Sequence, residues 1–181
     1  MVRISVKTLV YSISKMKQNR WIAFLHLLGL PKGLPFVLFC SLLGSLVIEA
    51  ASVHVIALAF AANLAIYCFA QVYKHLSNAP EDTFSPSKAD PNPLSYGLVS
   101  PHSARIALYL AMIISLVGAF LLSRINIVLT ISSILLSLAL FHPNFRISNR
   151  LMLGFNQHHF LYGGIFLLNS IVANQVHPSM T

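Results

Sequence analysis

The chain has 181 residues, of which 56% are hydrophobic and 9% are charged, and its formal net charge is +8. A soluble domain carries roughly 25% charged residues, so this composition excludes an ordinary water-soluble protein and predicts an integral membrane protein. The excess of basic residues indicates attraction to anionic membrane lipid and does not require a nucleic-acid partner.

The first element in chain order is a basic amino-terminal arm, residues 1–32, which contains no Asp or Glu. Within it, the mostly apolar run Trp21 to Leu30 is too short to cross a bilayer, and Lys32 interrupts its continuation. These features predict an interfacial helix that leads into the first membrane span. An organelle transit peptide is the alternative interpretation of the basic, serine-containing start.

Five longer apolar runs follow and form the predicted membrane-embedded bundle, residues 33–181. A helix of about 17 to 25 residues crosses the hydrocarbon core, whereas an open sheet would leave backbone groups unpaired in lipid. We therefore predict an all-α membrane protein with about five transmembrane helices. The predicted spans are Gly33–Ile48, Val53–Tyr73, Ile106–Leu122, Ile125–Phe141 and Phe160–Val176.

The distribution of Lys and Arg orients this bundle. With five spans, eleven of the twelve Lys and Arg residues fall on one side of the membrane, and only Arg124 falls on the other. Because Lys and Arg concentrate in cytoplasmic loops, we predict that the amino terminus is cytoplasmic and that the carboxyl terminus lies on the opposite side.

A polar stripe runs along one face of the second predicted helix, because its polar residues recur every three or four positions. Pro80 is predicted to end this helix just before Glu81 and Asp82. Polar side chains in a membrane helix face the bundle interior, so the stripe predicts either a cavity or hydrogen bonds between helices. The predicted cavity-lining residues are Asn63, Tyr67, Gln71 and Lys74, and Asn78 continues the stripe.

Two buried thiols are expected elsewhere, because Cys40 and Cys68 both lie inside apolar runs. Cysteine in such surroundings behaves as a small hydrophobic residue. The eight histidines show no spacing that specifies a cofactor site, so we expect them near the membrane interfaces. Ligation of a tetrapyrrole metal by one of them is the alternative.

The polar segment between the second and third spans holds three of the four acidic residues of the chain. It resembles the first aspartate-rich segment of UbiA-type intramembrane prenyltransferases, which reads N-D-x-x-D or N-D-x-E-D, then a basic residue, then N-P-L/I-x-x-G-x-x-S. Asn78 matches the asparagine, Glu81 and Asp82 match the E-D, and Lys88 matches the basic residue. Residues 92–100, NPLSYGLVS, match the rest.

Two looser matches extend the resemblance over residues 27–176, the first half of the family's length. Residues 30–32, LPK, stand where the family has an R-P signature. Residues 141–148, FHPNFRIS, resemble the family's Y-S-x-P-P-x-R-L-K; Arg146 is kept, and Ser148 replaces the lysine. We therefore expect a helical bundle similar to the first half of the UbiA fold.

The resemblance also implies a chemistry. Family members enclose a cavity open to lipid, where two acidic motifs hold Mg²⁺ ions that bind the diphosphate of a prenyl donor. An aromatic acceptor, often a quinone precursor, or a tetrapyrrole then takes the prenyl group. By this resemblance the expected Mg²⁺ ligands are Glu81, Asp82 and Asp90, and the expected diphosphate contacts are Asn78, Lys88 and Arg146.

Three departures from the family pattern change the functional expectation. Ala79 replaces the first aspartate, Pro86 replaces a frequent third one, and no Asp or Glu follows Asp90, so the second motif is absent. They favour a non-catalytic subunit or pseudoenzyme that binds an isoprenoid, quinone or pigment tail, or packs against another membrane subunit or a second copy. A split prenyltransferase completed by another polypeptide is one alternative, and a small transporter or channel is the other.

Overall fold

The computed structural model describes residues 19–47, 52–83, 91–142 and 156–176, with side chains of the last helix described from 162 to 175. The described residues contain helices and no strand, which confirms the prediction of an all-α protein. The helices are α1 (Arg20–Leu27), α2 (Leu30–Leu46), α3 (Val53–Asp82), α4 (Pro101–Leu122), α5 (Arg124–Phe141) and α6 (Asn156–Val176).

α1 and α2 are two arms of a bent pair, with an angle of 44° between them. The predicted interfacial helix Trp21–Leu30 corresponds to α1, which ends at Leu27. Gly29 at the break has a φ of 68°, a left-handed conformation that glycine adopts without strain. A Cβ there would also lie 2.6 Å from Cγ of Gln71 on α3, so both backbone conformation and packing require glycine.

α3 is the central helix and contacts each of the other five described helices. It continues through Pro80 to Asp82, so the prediction that Pro80 ends the helix is wrong. Proline removes a helical N–H and disturbs the carbonyls one turn earlier. Two side chains from the segment before α4 donate hydrogen bonds to backbone carbonyls in these last turns. Ser95 Oγ donates to Ala79 O over 3.0 Å, and Asn92 Nδ2 donates to His75 O over 2.8 Å.

Three described helices, α3, α4 and α5, are long and apolar enough to cross a membrane. They correspond to the second, third and fourth predicted spans. The count of five is wrong for the described residues, since α1 and α2 reach that standard only together, as one broken span. α6 has 21 residues, carries Asn169, Asn174 and Gln175, and is not among the described helices that reach this standard.

The polarity of α5 is reversed relative to a helix of a soluble protein. Its buried face carries Asn126, Thr130, Ser133 and Ser137, whereas its exposed face carries Ile125, Val128, Ile131 and Leu135. In water this arrangement would expose apolar surface and bury polar groups, both of which are unfavourable. Lipid is the solvent that matches it, which agrees with an integral membrane protein.

Two apolar clusters mark opposite ends of the bundle. One joins α1, the last turns of α3, the segment 91–99 and the start of α4 (Ala23, Leu27, Val72, Leu94, Val99 and Ala104). The other joins the start of α3, the end of α4 and α6 (Ala59, Ala62, Leu122 and Ala173). α3 and α4 are therefore antiparallel. We call the first end, which contains Arg20 and Arg105, the α1 end, and the second the Arg124 end.

Candidate functional site

Part of the predicted metal and diphosphate site lies on the last turns of α3. Asn78, Glu81 and Asp82 are half-buried there. Because α3 continues through Pro80, Glu81 and Asp82 follow Asn78 by three and four residues on the same side of the helix. The remaining predicted members lie outside the described residues; they are Lys88, Asp90 and Arg146.

Asn92 joins this helix end to the segment before α4. Its side chain is 2% exposed, and its amide donates to Asp82 Oδ2 over 2.9 Å and to His75 O over 2.8 Å. Its Oδ1 accepts from the backbone N–H of Leu94 over 3.1 Å. Both polar atoms of this side chain are therefore bonded, and the bond to the carboxylate is of the stronger, charge-assisted kind.

The segment 91–100 that contains Asn92 folds into a compact turn. Backbone bonds run from Gly97 N to Leu94 O over 3.0 Å and from Leu98 N to Pro93 O over 2.9 Å. Gly97 has a φ of 64°, which favours glycine. The Asn and Gly of this segment thus have structural roles: Asn92 bonds the turn to α3, and Gly97 adopts the left-handed conformation in the turn.

The described carboxylates are two of the three predicted metal ligands. Across the described ranges, no three His, Cys, Asp or Glu side chains lie together as metal ligands would. Glu81 and Asp82 are the two described members of the predicted set, and Asp82 already accepts a hydrogen bond from Asn92. A Mg²⁺ ion prefers carboxylate oxygens and keeps several waters. The third predicted ligand, Asp90, lies outside the described residues, so Mg²⁺ binding stays a prediction.

The middle of the polar stripe packs α3 against the bent pair. Tyr67 is 3% exposed, and a Cβ at Gly33 would lie 1.9 Å from its Cε1. Gln71, one turn later, covers Gly29 in the same way. Gly29 and Gly33, four residues apart, therefore pack against Gln71 and Tyr67, which are also four residues apart. This is a close helix contact of the small-xxx-small type. Lys74 is half-buried on the next turn.

Asn63 lies at the centre of a buried polar network. It is fully buried, and its Nδ2 lies 3.0 Å from Ser41 Oγ, 3.1 Å from Phe166 O and 3.2 Å from Ser170 Oγ. Its Oδ1 accepts from Asn169 Nδ2 over 2.8 Å. Asn63 was predicted to line a cavity, but its polar atoms are used in bonds between α2, α3 and α6.

The network extends to α5 and towards the ends of α2 and α6. Asn126 Nδ2 donates to Asn169 O over 2.8 Å, and Asn174 Nδ2 donates to Ser45 Oγ over 3.1 Å. We call Asn63, Asn126, Asn169 and Asn174, which are all fully buried, the asparagine network. It joins four helices by side-chain amides, the interhelical bonding that was the alternative prediction for the stripe.

Sequence reasoning did not assign three members of the asparagine network, namely Asn126, Asn169 and Asn174. A signal was present, because each asparagine interrupts or borders an otherwise apolar run. Polar residues inside membrane helices face the bundle interior. Their partners are far apart in sequence, however, since Asn63 and Asn169 are separated by 106 positions.

A groove opens between α1 and the start of α4, with a volume of about 720 Å³. We call it the α1–α4 groove. Its walls are Arg20, Trp21 and Phe24 on one side and residues 97–100 with Ser103 on the other. The groove lies at the α1 end, beside the compact turn, and none of these lining residues was predicted as a site.

Comparison of the chain with protein-family models, with curated proteins and with solved structures gave no match. The assignment of function therefore depends on the geometry above and on the resemblance of residues 78–100.

Proposed function

We propose that the chain is a UbiA-like integral membrane protein that acts as a non-catalytic subunit, with its amino terminus in the cytoplasm. In this proposal the polar stripe of α3 stabilises the helix bundle. The exposed apolar faces of the bundle bind an isoprenoid, quinone or pigment tail, or pack against another membrane subunit or a second copy.

The observation that carries this proposal is the bonding of Asn63. In an enzyme that holds its substrate beside α3, polar side chains of the stripe would be directed to that substrate. Asn63 instead contacts Ser41, Ser170 and the backbone of Phe166, and accepts from Asn169. Since both of its polar atoms are engaged within the bundle, this amide supports packing.

The acidic end of α3 supports the same proposal. Asp82 accepts from Asn92, so this carboxylate contributes to the fold of the segment before α4. The sequence has Ala79 and Pro86 at two positions where the family often has aspartate, and it has no Asp or Glu after Asp90. A multiply charged diphosphate held by metal ions needs more carboxylates than these.

The test is a prenyl-transfer assay on the purified full chain in nanodiscs. Radiolabelled geranyl and farnesyl diphosphate are supplied with Mg²⁺ and an aromatic acceptor, and both the lipid product and released diphosphate are measured. We expect no Mg²⁺-dependent product above the signal of empty nanodiscs. Mg²⁺-dependent transfer that disappears in Asp82→Asn would overturn the proposal.

A split prenyltransferase is the second candidate, favoured by one observation. α3 continues through Pro80 and keeps Asn78, Glu81 and Asp82 on one face, beside a turn built on the family-like motif. This geometry would suit half of a shared site. Co-expression with a membrane polypeptide that carries a D-x-x-x-D motif, followed by the same assay, tests it, and transfer only by the co-purified pair would favour it.

A further inference from the structure

We propose that the α1–α4 groove binds the headgroup of an anionic glycerophospholipid from the leaflet at the α1 end. The residues of the groove lie outside the polar stripe and the acidic end of α3. The proposal therefore holds whether the chain is a non-catalytic subunit or half of an enzyme.

Charge is the first reason. Arg20 is exposed and lines the groove, and the lining residues that the structure describes include no Asp or Glu. His102 and Arg105, both exposed, lie on the first turns of α4, within two residues of Ser103 in the sequence. A basic side chain at a membrane surface attracts anionic lipid, and the attraction declines within a Debye length. The ligand that complements this wall is an anion.

Hydrogen-bond donors are the second reason, and they stand opposite the arginine. Ser100 caps α4, since its Oγ accepts from Ser103 N over 3.0 Å, and the two hydroxyl oxygens lie 2.9 Å apart. Both side chains are exposed. The amino-terminal end of α4 adds its partial positive charge. Phosphate oxygens between Arg20 and these hydroxyls would meet donors from both walls.

The apolar surface below the groove distinguishes a lipid from a free phosphate. Ile106, Leu110 and Ile113 follow Ser103 on α4 at spacings of three or four, and they are 46%, 53% and 53% exposed. These residues continue one helical face away from the groove. Trp21, which is 76% exposed, lines the groove and belongs to the residue type enriched at lipid headgroups. A molecule with an anionic head and apolar chains fits both surfaces.

Tryptophan fluorescence reports on the groove, because Trp21 is the single tryptophan of the chain and lines the groove. The full chain is reconstituted in phosphatidylcholine vesicles that contain increasing fractions of brominated phosphatidylglycerol or brominated phosphatidylcholine. Bromine quenches tryptophan fluorescence on contact, so the two titrations give the relative affinity of each lipid beside Trp21. We expect phosphatidylglycerol to be preferred.

Three arginine variants separate a binding site from general surface charge. Arg20→Gln should lower the preference for phosphatidylglycerol by about fivefold, the contribution of one basic residue near the surface. Arg20→Lys should retain most of it, and Arg105→Gln, which removes a charge outside the groove, should have the smaller effect. Equal effects of Arg20→Gln and Arg105→Gln would overturn the proposal, as would the absence of any preference.

Two further measurements complete the test. The emission maximum of Trp21 in detergent and the circular dichroism spectrum of Arg20→Gln should match those of the parent chain, which shows that the variant is folded. Excess sn-glycerol 3-phosphate should not reduce the quenching by brominated phosphatidylglycerol. If it does, the groove binds a small water-soluble phosphate and the lipid proposal is wrong.

Discussion

The side-chain amide of Asn92 donates to the carboxylate of Asp82 over a distance of 2.9 Å. This bond connects the two halves of the motif that resembles the prenyltransferases, the acidic helix end and the N-P-L segment. The same amide donates to His75 O, which lies within the helix that Pro80 disturbs. Asn92 therefore stabilises both the turn and the last turns of α3.

The first prediction concerns Asn92. Replacement by alanine leaves the Asp82 carboxylate and the carbonyl of His75 without this donor, and we expect a loss of about 3 kcal/mol in the free energy of unfolding. Cys40 and Cys68 are free and buried, so a thiol-reactive fluorescent dye in detergent reports the unfolding temperature. Asn78→Ala is the matched control, because Asn78 is half-buried on the same helix end; equal losses would contradict the assigned role of Asn92.

The second prediction concerns the contact of Gly33 with Tyr67. Gly33→Ala places a methyl group 1.9 Å from Cε1 of Tyr67, and overpacking of this kind destabilises by about 1–3 kcal/mol. Gly164→Ala is the matched control, since a Cβ at Gly164 meets no atom within 4 Å and alanine favours a helix by up to about 1 kcal/mol over glycine. In a Tyr67→Ala background, Gly33→Ala should cost less than it does in the parent chain, because the ring that the new methyl group meets is then absent.

The third prediction concerns the asparagine network. Asn63→Ala and Asn169→Ala each remove one side of the 2.8 Å bond between Asn169 Nδ2 and Asn63 Oδ1, so their effects on unfolding should not be additive. We expect a coupling energy of about 0.6–1.7 kcal/mol, between the average and the maximum for hydrogen bonds between membrane helices. Asn63→Ala combined with Asn92→Ala provides the control, because Asn92 forms no bond with the network, and these two effects should add.

The fourth prediction concerns orientation in the membrane. Arg105 and Arg124 are exposed at opposite ends of the bundle, and α4 between them has 22 residues, about 33 Å of helix. In a background without native cysteines, Arg124→Cys should react with an impermeant maleimide added to intact cells. Arg105→Cys should react only after permeabilisation. The reverse pattern would contradict the cytoplasmic placement of the amino terminus.

Much of the helical architecture could be predicted from sequence, because membrane helices are specified by local apolar runs. The bounds of α4 and α5 lie within a few residues of those predicted, and Cys40 and Cys68 are buried as expected. The direction of the polar stripe was also predicted, since Asn63 and Tyr67 face the bundle interior. These features follow from composition and helical periodicity alone.

Two features could not be predicted, and both depend on residues distant in sequence. α3 continues through Pro80, and Ser95 and Asn92 donate to the carbonyls of Ala79 and His75 in its last turns; no local sequence pattern predicts such donors. A cavity and a hydrogen-bond network have the same polar stripe as their signature. Asn63 belongs to a hydrogen-bond network because it bonds to Ser41, Ser170 and Asn169, which lie on other helices.

The position of Asn169 and Asn174 on α6 has a consequence for how the chain is made. α6 is synthesised after α2, α3 and α5, the helices whose side chains meet these asparagines. An asparagine that faces lipid is unfavourable, so α6 enters the bilayer most readily when Asn63 and Asn126 are already in place to receive it. Membrane integration of α6 is thereby linked to correct assembly of the earlier helices.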